Sequence, residues 1–540
     1  MNTDTGSLKH PSEHSSPEAE QGSQPDSWTP RHNPWLIALA VMSATFMEVL
    51  DTTIVNVALR HIAGSLAAGN DEATWVVTSY LVSNAIILPA SGWLAIYFGR
   101  KRFLMTCVVI FTISSLMCGF APSLAILIMA RIAQGAGGGG LQPIANAVML
   151  ESFPASKRGM AMAIYGLGVV VAPVIGPTLG GWITDNYSWR WVYYINIPIG
   201  MLGLWLMHRF LEDPPYIKNA KPGRVDGIGF GLMAIGLAVL QVVLDKGQED
   251  DWLEAAWIRW AITIIVASLM AFVIWELRVK EPIVNLRVLG NRNFMISTIL
   301  ITVMGIVVYA PLTMLPQFLQ GIMGYTAELS GLTQSPRGLG AVIAMPLVGI
   351  LISRIDSRAM IAAGFILVGI TCYWFGNLTL EIGQGSIILP NIVQGGAIGL
   401  IFVPLTTLAL GMLRNEQIGN ASSIFSLMRN LGGSIGISTA TTLLARSAQA
   451  HQVTMAWRLT PYNPAFQQKI NSLQQGISAG TGAAQAAQQA YGAMNGILIK
   501  QATLLAYVDN FRWLALGCLI CVPLIFLLKK VKARGPVAAH

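Results

Sequence analysis

Apolar residues along this 540-residue chain gather into fourteen long runs separated by short polar turns. A helix needs about 20 apolar residues to cross the hydrocarbon of a bilayer. The runs therefore predict fourteen membrane-spanning helices, at 34–58, 73–98, 103–121, 124–149, 159–184, 191–211, 226–245, 256–276, 294–319, 329–353, 359–377, 388–412, 418–445 and 508–529. One stretch breaks the rhythm. Residues 446–507 are rich in Gln, Ala, Ser and Gly, so they predict a long loop. An Ala/Gln run at 483–490 has helical propensity. The loop reads either as a spacer or as a docking surface.

Composition agrees with an all-α membrane protein. Only 11% of residues are charged and 54% are hydrophobic, where a soluble domain carries about 25% charge. The basic residues cluster on one side: Arg100 to Arg102 after span two, Lys157-Arg158 after four, and Lys218, Lys221 and Arg224 after six. Arg278, Lys280, Arg287 and Arg292 follow span eight, Arg354 and Arg358 follow ten, and Lys529, Lys530, Lys532 and Arg534 end the chain. Lys and Arg collect on the cytoplasmic side of membrane proteins. Both termini are thus expected in the cytoplasm, with the chain a multi-pass membrane protein. The net charge of +8 has a topological origin, and no dense basic patch points to nucleic acid. The five cysteines, Cys107, Cys118, Cys372, Cys518 and Cys521, fall in apolar runs and set up neither a metal site nor a disulfide framework. No Walker-type phosphate loop or other enzyme motif is present, so neither ATP chemistry nor a cofactor is expected.

A repeat lies within the chain. Span two ends in Gly92-x-Leu94 before a basic turn, and span ten ends in Gly349-x-Leu351 before another. Span four holds Gln134-Gly135 and then Pro143; span twelve holds Gln394-Gly395 and then Pro404. Spans one to six therefore match nine to fourteen, with seven and eight inserted. Duplicated six-helix halves are a transporter architecture, with the substrate site between the halves near the midplane. The expected organisation is a disordered cytoplasmic tail (1–33), an N-terminal six-helix bundle (34–211), and a linker with two additional helices (212–277). Spans 9–13 (278–445), the outside loop (446–507), the last span (508–530) and a second tail (531–540) follow.

Ionisable groups inside the runs are the candidate chemistry, because a membrane-embedded charge is expensive. Glu48 and Asp51 stand three residues apart on one helix face. Two carboxyls so close in a low dielectric do not both ionise near neutral pH, so a proton-coupled protein is the leading reading. Asp51 alternatively makes a structural bond to a neighbouring span, and Glu48 is alternatively a spectator. Arg131 in span four is placed to pair with a carboxylate, as a coupling group or as a structural ion pair. Arg337 and Arg429 also fall in apolar runs and should face protein or a water-filled cavity. Asn391, Gln394 and Asn430 offer hydrogen bonds in the same half, and Tyr80, Tyr165, Tyr309 and Phe318 are candidates for an apolar pocket or for packing. Three deep arginines against two deep acids favour a neutral or weakly acidic amphiphile over a dication.

Several motifs resemble one family. Leu50-Asp51-Thr-Thr-Ile-Val-Asn56-Val-Ala-Leu59, Arg131-x-x-Gln134-Gly135 and Trp189-Arg-Trp-Val-Tyr-Tyr-Ile-Asn196-Ile-Pro198-Ile-Gly200 are similar to signatures of the fourteen-span drug:proton antiporters (EmrB/QacA type) of the major facilitator superfamily. Gly92-x-Leu94-Ala-x-x-x-Gly99-Arg100-Lys101 resembles the superfamily's gating-loop motif, with Ile96 where the family carries an acid. Gly166, Gly168, Pro173, Gly176-Pro177 and Gly180-Gly181 resemble the span-five antiporter motif. The resemblance implies the major facilitator fold, two six-helix bundles plus two additional helices. It also implies proton coupling through Asp51 and Arg131, and export of lipophilic small molecules across the lipid bilayer by alternating access. It further implies a tripartite system, in which the 446–507 segment meets a periplasmic adaptor (EmrA-like) that leads to an outer-membrane channel (TolC-like). A proton-coupled exporter of one metabolite or fatty acid, and a passive channel, are the alternatives.

Overall fold

The computed structural model describes residues 30–218, 225–411, 413–478 and 483–528. The expectations for residues 1–29 of the tail, for Lys221 and Arg224, and for the basic C-terminus lie outside the described residues.

The described chain is helical nearly throughout, which satisfies each backbone N–H and C=O within its own segment, as hydrocarbon requires. The N-terminal half comprises α1 (Pro34–Ser65), α2 (Asn70–Phe98), α3 (Arg100–Phe120), α4 (Leu124–Gly138), α5 (Leu141–Ser152), α6 (Arg158–Asn186), α7 (Trp191–Tyr194) and α8 (Asn196–Phe210). A short α9 (Pro215–Lys218) precedes the inserted pair, α10 (Gly227–Lys246) and α11 (Ala256–Arg278). The C-terminal half comprises α12 (Arg292–Gly321), α13 (Ala327–Gln334), α14 (Pro336–Leu351), α15 (Ser357–Phe375), α16 (Gly385–Leu410), α17 (Asn415–Ala456), α18 (Pro464–Ser478) and α19 (Ala483–Ile525).

Among the described residues, eleven helical stretches are long and apolar enough to cross a membrane. The expected spans outside that set are 191–211, 329–353 and 418–445, each for a visible reason. The first divides into α7 and α8, and the second divides at Ser335 into α13 and α14, with Pro336 opening α14 where its missing N–H costs nothing. The third is continuous in α17, which carries Arg429, Asn430 and several serines.

The repeat is visible in packing. On α2, Gly92 lies so close to α17 that a Cβ there would stand 2.8 Å from the Asn420 Cα. On α14, Gly349 meets α6, where a Cβ would stand 3.0 Å from the Met160 Cα. Each Gly-x-Leu thus seats span two or ten against span thirteen or five of the opposite half. The amides correspond as well: Gln134 lies 3.6 Å from the Cys118 sulfur, and Gln394 lies 3.9 Å from the Cys372 sulfur.

The halves meet firmly at the face that carries Arg100, Lys101, Arg354 and Arg358. There the Ser91 and Ser423 hydroxyls stand 2.9 Å apart, and the Ser422 hydroxyl donates to the Pro143 carbonyl at 2.8 Å. Toward the opposite face α10 lies between α2 and α17. Thr78 donates to Asp245, Lys246 donates to Thr74 at 2.8 Å, and Ser434 donates to Gln241 at 3.1 Å.

The expected loop at 446–507 is overturned. α17 runs 42 residues and α19 runs 43, about 63 Å each at 1.5 Å per residue, about twice the hydrocarbon thickness. α18 folds back onto α19 through Phe466, Ile470, Ala490 and Met494. The Ala/Gln run at 483–490, with its helical propensity, opens α19.

Candidate functional site

Asp51 sits at the middle of α1 with no exposure to solvent. Arg131 of α4 donates to its Oδ2 at 2.6 Å, while Gln134 and Asn196 donate to its Oδ1 at 3.0 and 2.8 Å. The three-residue spacing of Arg131 and Gln134 puts both on one face of α4. Arg131 also donates to the Val76 carbonyl at 3.0 Å, and its guanidinium carbon lies 4.2 Å from the centre of the Tyr80 ring. The ion pair is therefore tied to α2, α4 and α8 together.

Glu48, one turn earlier on α1, has its own neighbours. Gln142 of α5 donates to Oε2 at 2.5 Å, and Asn84 and Tyr80 donate to Oε1 at 3.3 and 3.4 Å. All three are neutral. The two acids thus sit in separate nests rather than sharing a proton as a close pair. Tyr80 joins the nests, with its ring over Arg131 and its hydroxyl on Glu48.

Gln142 also reaches the other half: Arg429 of α17 donates to its Oε1. Arg429 in turn lines a cavity with about 530 Å³ of empty volume. Apart from Arg429, Arg337 and Tyr309, the walls are apolar, among them Val170, Pro173, Met304 and Phe402. Arg337 has no acid partner among the described ion pairs. The Asn391 Oδ1 holds its guanidinium by two hydrogen bonds of 2.9 and 3.1 Å.

Of the expected pocket residues, the cavity brings together Arg337, Arg429 and Tyr309, along with Pro173 of the antiporter motif. Asn391 stands behind Arg337, and Gln394 is buried against Cys372. Tyr80 belongs to the acid nests. Tyr165 donates to the Gln142 carbonyl at 3.0 Å and stacks near Phe402. Phe318 is removed from the cavity because its ring packs on Tyr507 of α19, and Asn430 is not among the wall residues.

In the antiporter motif, Gly166, Gly176 and Gly180 are tight positions, a Cβ on Gly166 standing 2.8 Å from the Phe402 ring. A Cβ on Gly176 would strike the Thr53 hydroxyl, and one on Gly180 would stand 2.7 Å from the Ile54 side chain. Gly168 and Gly181 have more room, and Pro177 is half-buried. In the gating-loop motif Gly99 adopts φ +84°, which favours glycine. The acid missing at Ile96 is supplied from elsewhere: Arg100 pairs with Glu151, and Asp213 accepts the Lys101 backbone N–H at 2.8 Å.

Sequence reasoning passed over Gln142, Asn84, Asn196 and Phe402 as site residues. The three amides carried a signal, since each is a polar side chain within an apolar run. Phe402 carried none.

A family model described as Major Facilitator Superfamily matches residues 41–437. The multidrug export protein EmrB of Escherichia coli is 35% identical over 503 residues, covering 93% of this chain and 96% of that protein. The fatty acid resistance protein FarB of Neisseria gonorrhoeae is 36% identical over 498 residues, covering 91% and 96%. Among solved structures, the human organic anion transporter MFSD10 (TETRAN) superposes with a TM-score of 0.60 over 92% of this chain and all of its own length. At 12% identity that likeness concerns the fold alone.

Proposed function

We propose that this chain, which belongs to the Major Facilitator Superfamily, is a proton-driven multidrug exporter. Protons entering down their gradient drive lipophilic compounds outward by alternating access. The observation that carries the reading is the connection of a buried acid to a largely apolar cavity: Glu48, Gln142 and Arg429 form one hydrogen-bonded chain that ends in the cavity wall. Asp51, compensated by Arg131, is the main proton-coupling group, with Glu48 modulating it, and it takes up a proton when the helices rearrange and Arg131 moves away. EmrB of Escherichia coli, named as a multidrug export protein, supports the export direction.

The cavity favours neutral or weakly acidic amphiphiles. An apolar wall buries their rings, and a guanidinium accepts an anion in a charge-assisted bond. Arg337, Arg429 and Tyr309 contact such a cargo, with Asn391 orienting Arg337. Tyr165 supports the wall through its ring beside Phe402. A fatty-acid carboxylate suits the same cavity, as the name of FarB suggests, and it remains the second reading.

The chain takes fourteen spans in the inner membrane, with the basic face and both termini in the cytoplasm. The α17–α19 extension then rises on the periplasmic side, where it meets an adaptor protein that leads to an outer-membrane channel. The decisive experiment is uptake into proteoliposomes with an acidic interior. An exporter of this kind concentrates a lipophilic compound against its gradient, and an ionophore that dissipates the pH difference abolishes the accumulation. A passive channel equilibrates the compound and goes no further.

A further inference from the structure

We infer that Gln142 is a latch that keeps the empty carrier from reorienting, and that either a proton on Glu48 or a cargo on Arg429 opens it. The inference rests on the reading above of a proton exchanger. Antiport demands such a device. A carrier that reorients empty lets cargo and protons leak separately, whereas one that reorients only when loaded with one or the other exchanges them.

The geometry fits both keys. Gln142 belongs to α5 of the N-terminal half, and its amide is engaged at both ends. The Nε2 donates to Glu48 at 2.5 Å, and the Oε1 accepts from Arg429 of the C-terminal half. The Glu48 carboxylate has no donor of its own, so it fixes which end of the amide faces it. That orientation presents the carbonyl to Arg429 and ties the halves together. Once a proton taken from the outer water sits on Glu48, the carboxyl gains an O–H donor. The amide can then turn its Oε1 to Glu48, and the amine end it presents to Arg429 cannot accept a hydrogen bond. An anionic cargo reaches the same result from the cavity side, because it takes the Arg429 guanidinium for itself.

Other polar contacts also join the halves, Ser91 with Ser423, Ser422 with the Pro143 carbonyl, and Tyr165 facing Arg429, but among the described residues Gln142 is the one that also holds a buried acid. Glu48 is faced by Tyr80 and Asn84 from α2, by Gln142 from α5, by Arg429 from α17, and by Asp51 a turn along α1, which is paired with Arg131 of α4. Tyr165 of α6 bonds the Gln142 backbone carbonyl, so it steadies the helix without competing for the amide.

Two variants test the latch, one at the tie and one at its key. The probe is radiolabelled decanesulfonate, a permanent anion that neither titrates nor crosses the bilayer as a neutral acid. Purified protein in proteoliposomes is assayed for pH-driven uptake. At alkaline pH on both sides it is also assayed for net efflux and for probe-against-probe exchange. The wild type should exchange at least about tenfold faster than it releases probe. Gln142→Met removes the tie, so net efflux should rise to match exchange and pH-driven accumulation should vanish. Glu48→Gln mimics the protonated acid, because its amide supplies a donor to which Gln142 can turn its Oε1. Net efflux should therefore rise toward exchange, and pH-driven accumulation should vanish because no proton titrates at this position.

A Gln142→Met protein that keeps the wild-type ratio of exchange to efflux, or that loses both fluxes while folded, overturns the latch. Should that variant fail to fold, Glu48→Gln decides alone, and retained pH-driven accumulation overturns the proposal. Failure of the wild type to take up any lipophilic compound against its gradient would instead overturn the exporter reading.

Discussion

Arg131 on α4 places a guanidinium nitrogen 2.6 Å from the carboxylate of Asp51 on α1, and neither side chain is exposed. Removing one partner of such a buried pair leaves an uncompensated charge, at a cost of about 3–5 kcal/mol. Asp51→Asn should therefore lower the thermal midpoint and abolish pH-driven uptake. Adding Arg131→Gln should restore much of the midpoint, since no charge then remains, but not the uptake. Thermal unfolding in detergent and proteoliposome transport check the two halves of the expectation. Normal pumping by Asp51→Asn would remove Asp51 from proton coupling.

Charge selectivity follows from Arg337, which has only the Asn391 carbonyl for company in the cavity wall. A charge-assisted hydrogen bond contributes about 1.5–3 kcal/mol. Arg337→Gln should weaken binding of a lipophilic anion at least about tenfold while leaving a neutral compound of similar size within about twofold. A dicationic dye should compete poorly against the wild type and no worse against the variant. Competition binding on purified protein measures all three. Tight dication binding unaffected by the change would show that this cavity does not select its cargo by charge.

The span-five glycines divide into two classes with different expected costs. At Gly176 a Cβ meets Thr53 on the facing helix, whereas at Gly181 the nearest atom is the Val57 Cγ1 at 3.9 Å. Gly176→Val should push α1 from α6, cost about 1–3 kcal/mol by overpacking, and lose transport. Gly181→Ala should be tolerated, with transport within about twofold of wild type. Equal effects of the two changes on folding yield and transport would mean that the seam does not depend on close approach at Gly176.

Much of this was legible in the sequence because membrane physics writes coarse rules into it. The cost of exposed backbone in lipid makes the apolar runs helices, and the paired Gly-x-Leu and Gln-Gly segments marked a duplication that Gly92 and Gly349 carry out in packing. Deep charges were legible for the same reason: Asp51, Arg131, Arg337 and Arg429 all fall at the two buried centres. Pairing was not legible. Spacing placed Glu48 beside Asp51 on one helix, but amides from other helices, Gln142 and Asn196, decide which acid has which neighbours. No local pattern encodes those long-range contacts. The 446–507 segment failed in another way, since its low hydropathy marks a helix in water as readily as a loop.

That segment leads to the last expectation. α17, α18 and α19 build a small core of their own from Phe466, Ile470, Ala490 and Met494. A mere spacer has no need of such a core. Beside it stand two large side chains left in solvent, Trp457 at 85% and Tyr462 at 94% exposure. Large aromatics are enriched at the energetic centres of protein interfaces. Replacing both with Ser should leave the thermal midpoint and proteoliposome transport unchanged, because neither residue supports the core or the cavity. On the proposed reading that an adaptor docks here, the same change should in cells lower resistance to lipophilic compounds and weaken recovery of the adaptor with the pump. Ile470→Asp, which strikes the small core instead, should produce the cellular defect together with protease sensitivity of the extension. Full resistance and full adaptor recovery from the double Ser variant would assign the docking surface elsewhere.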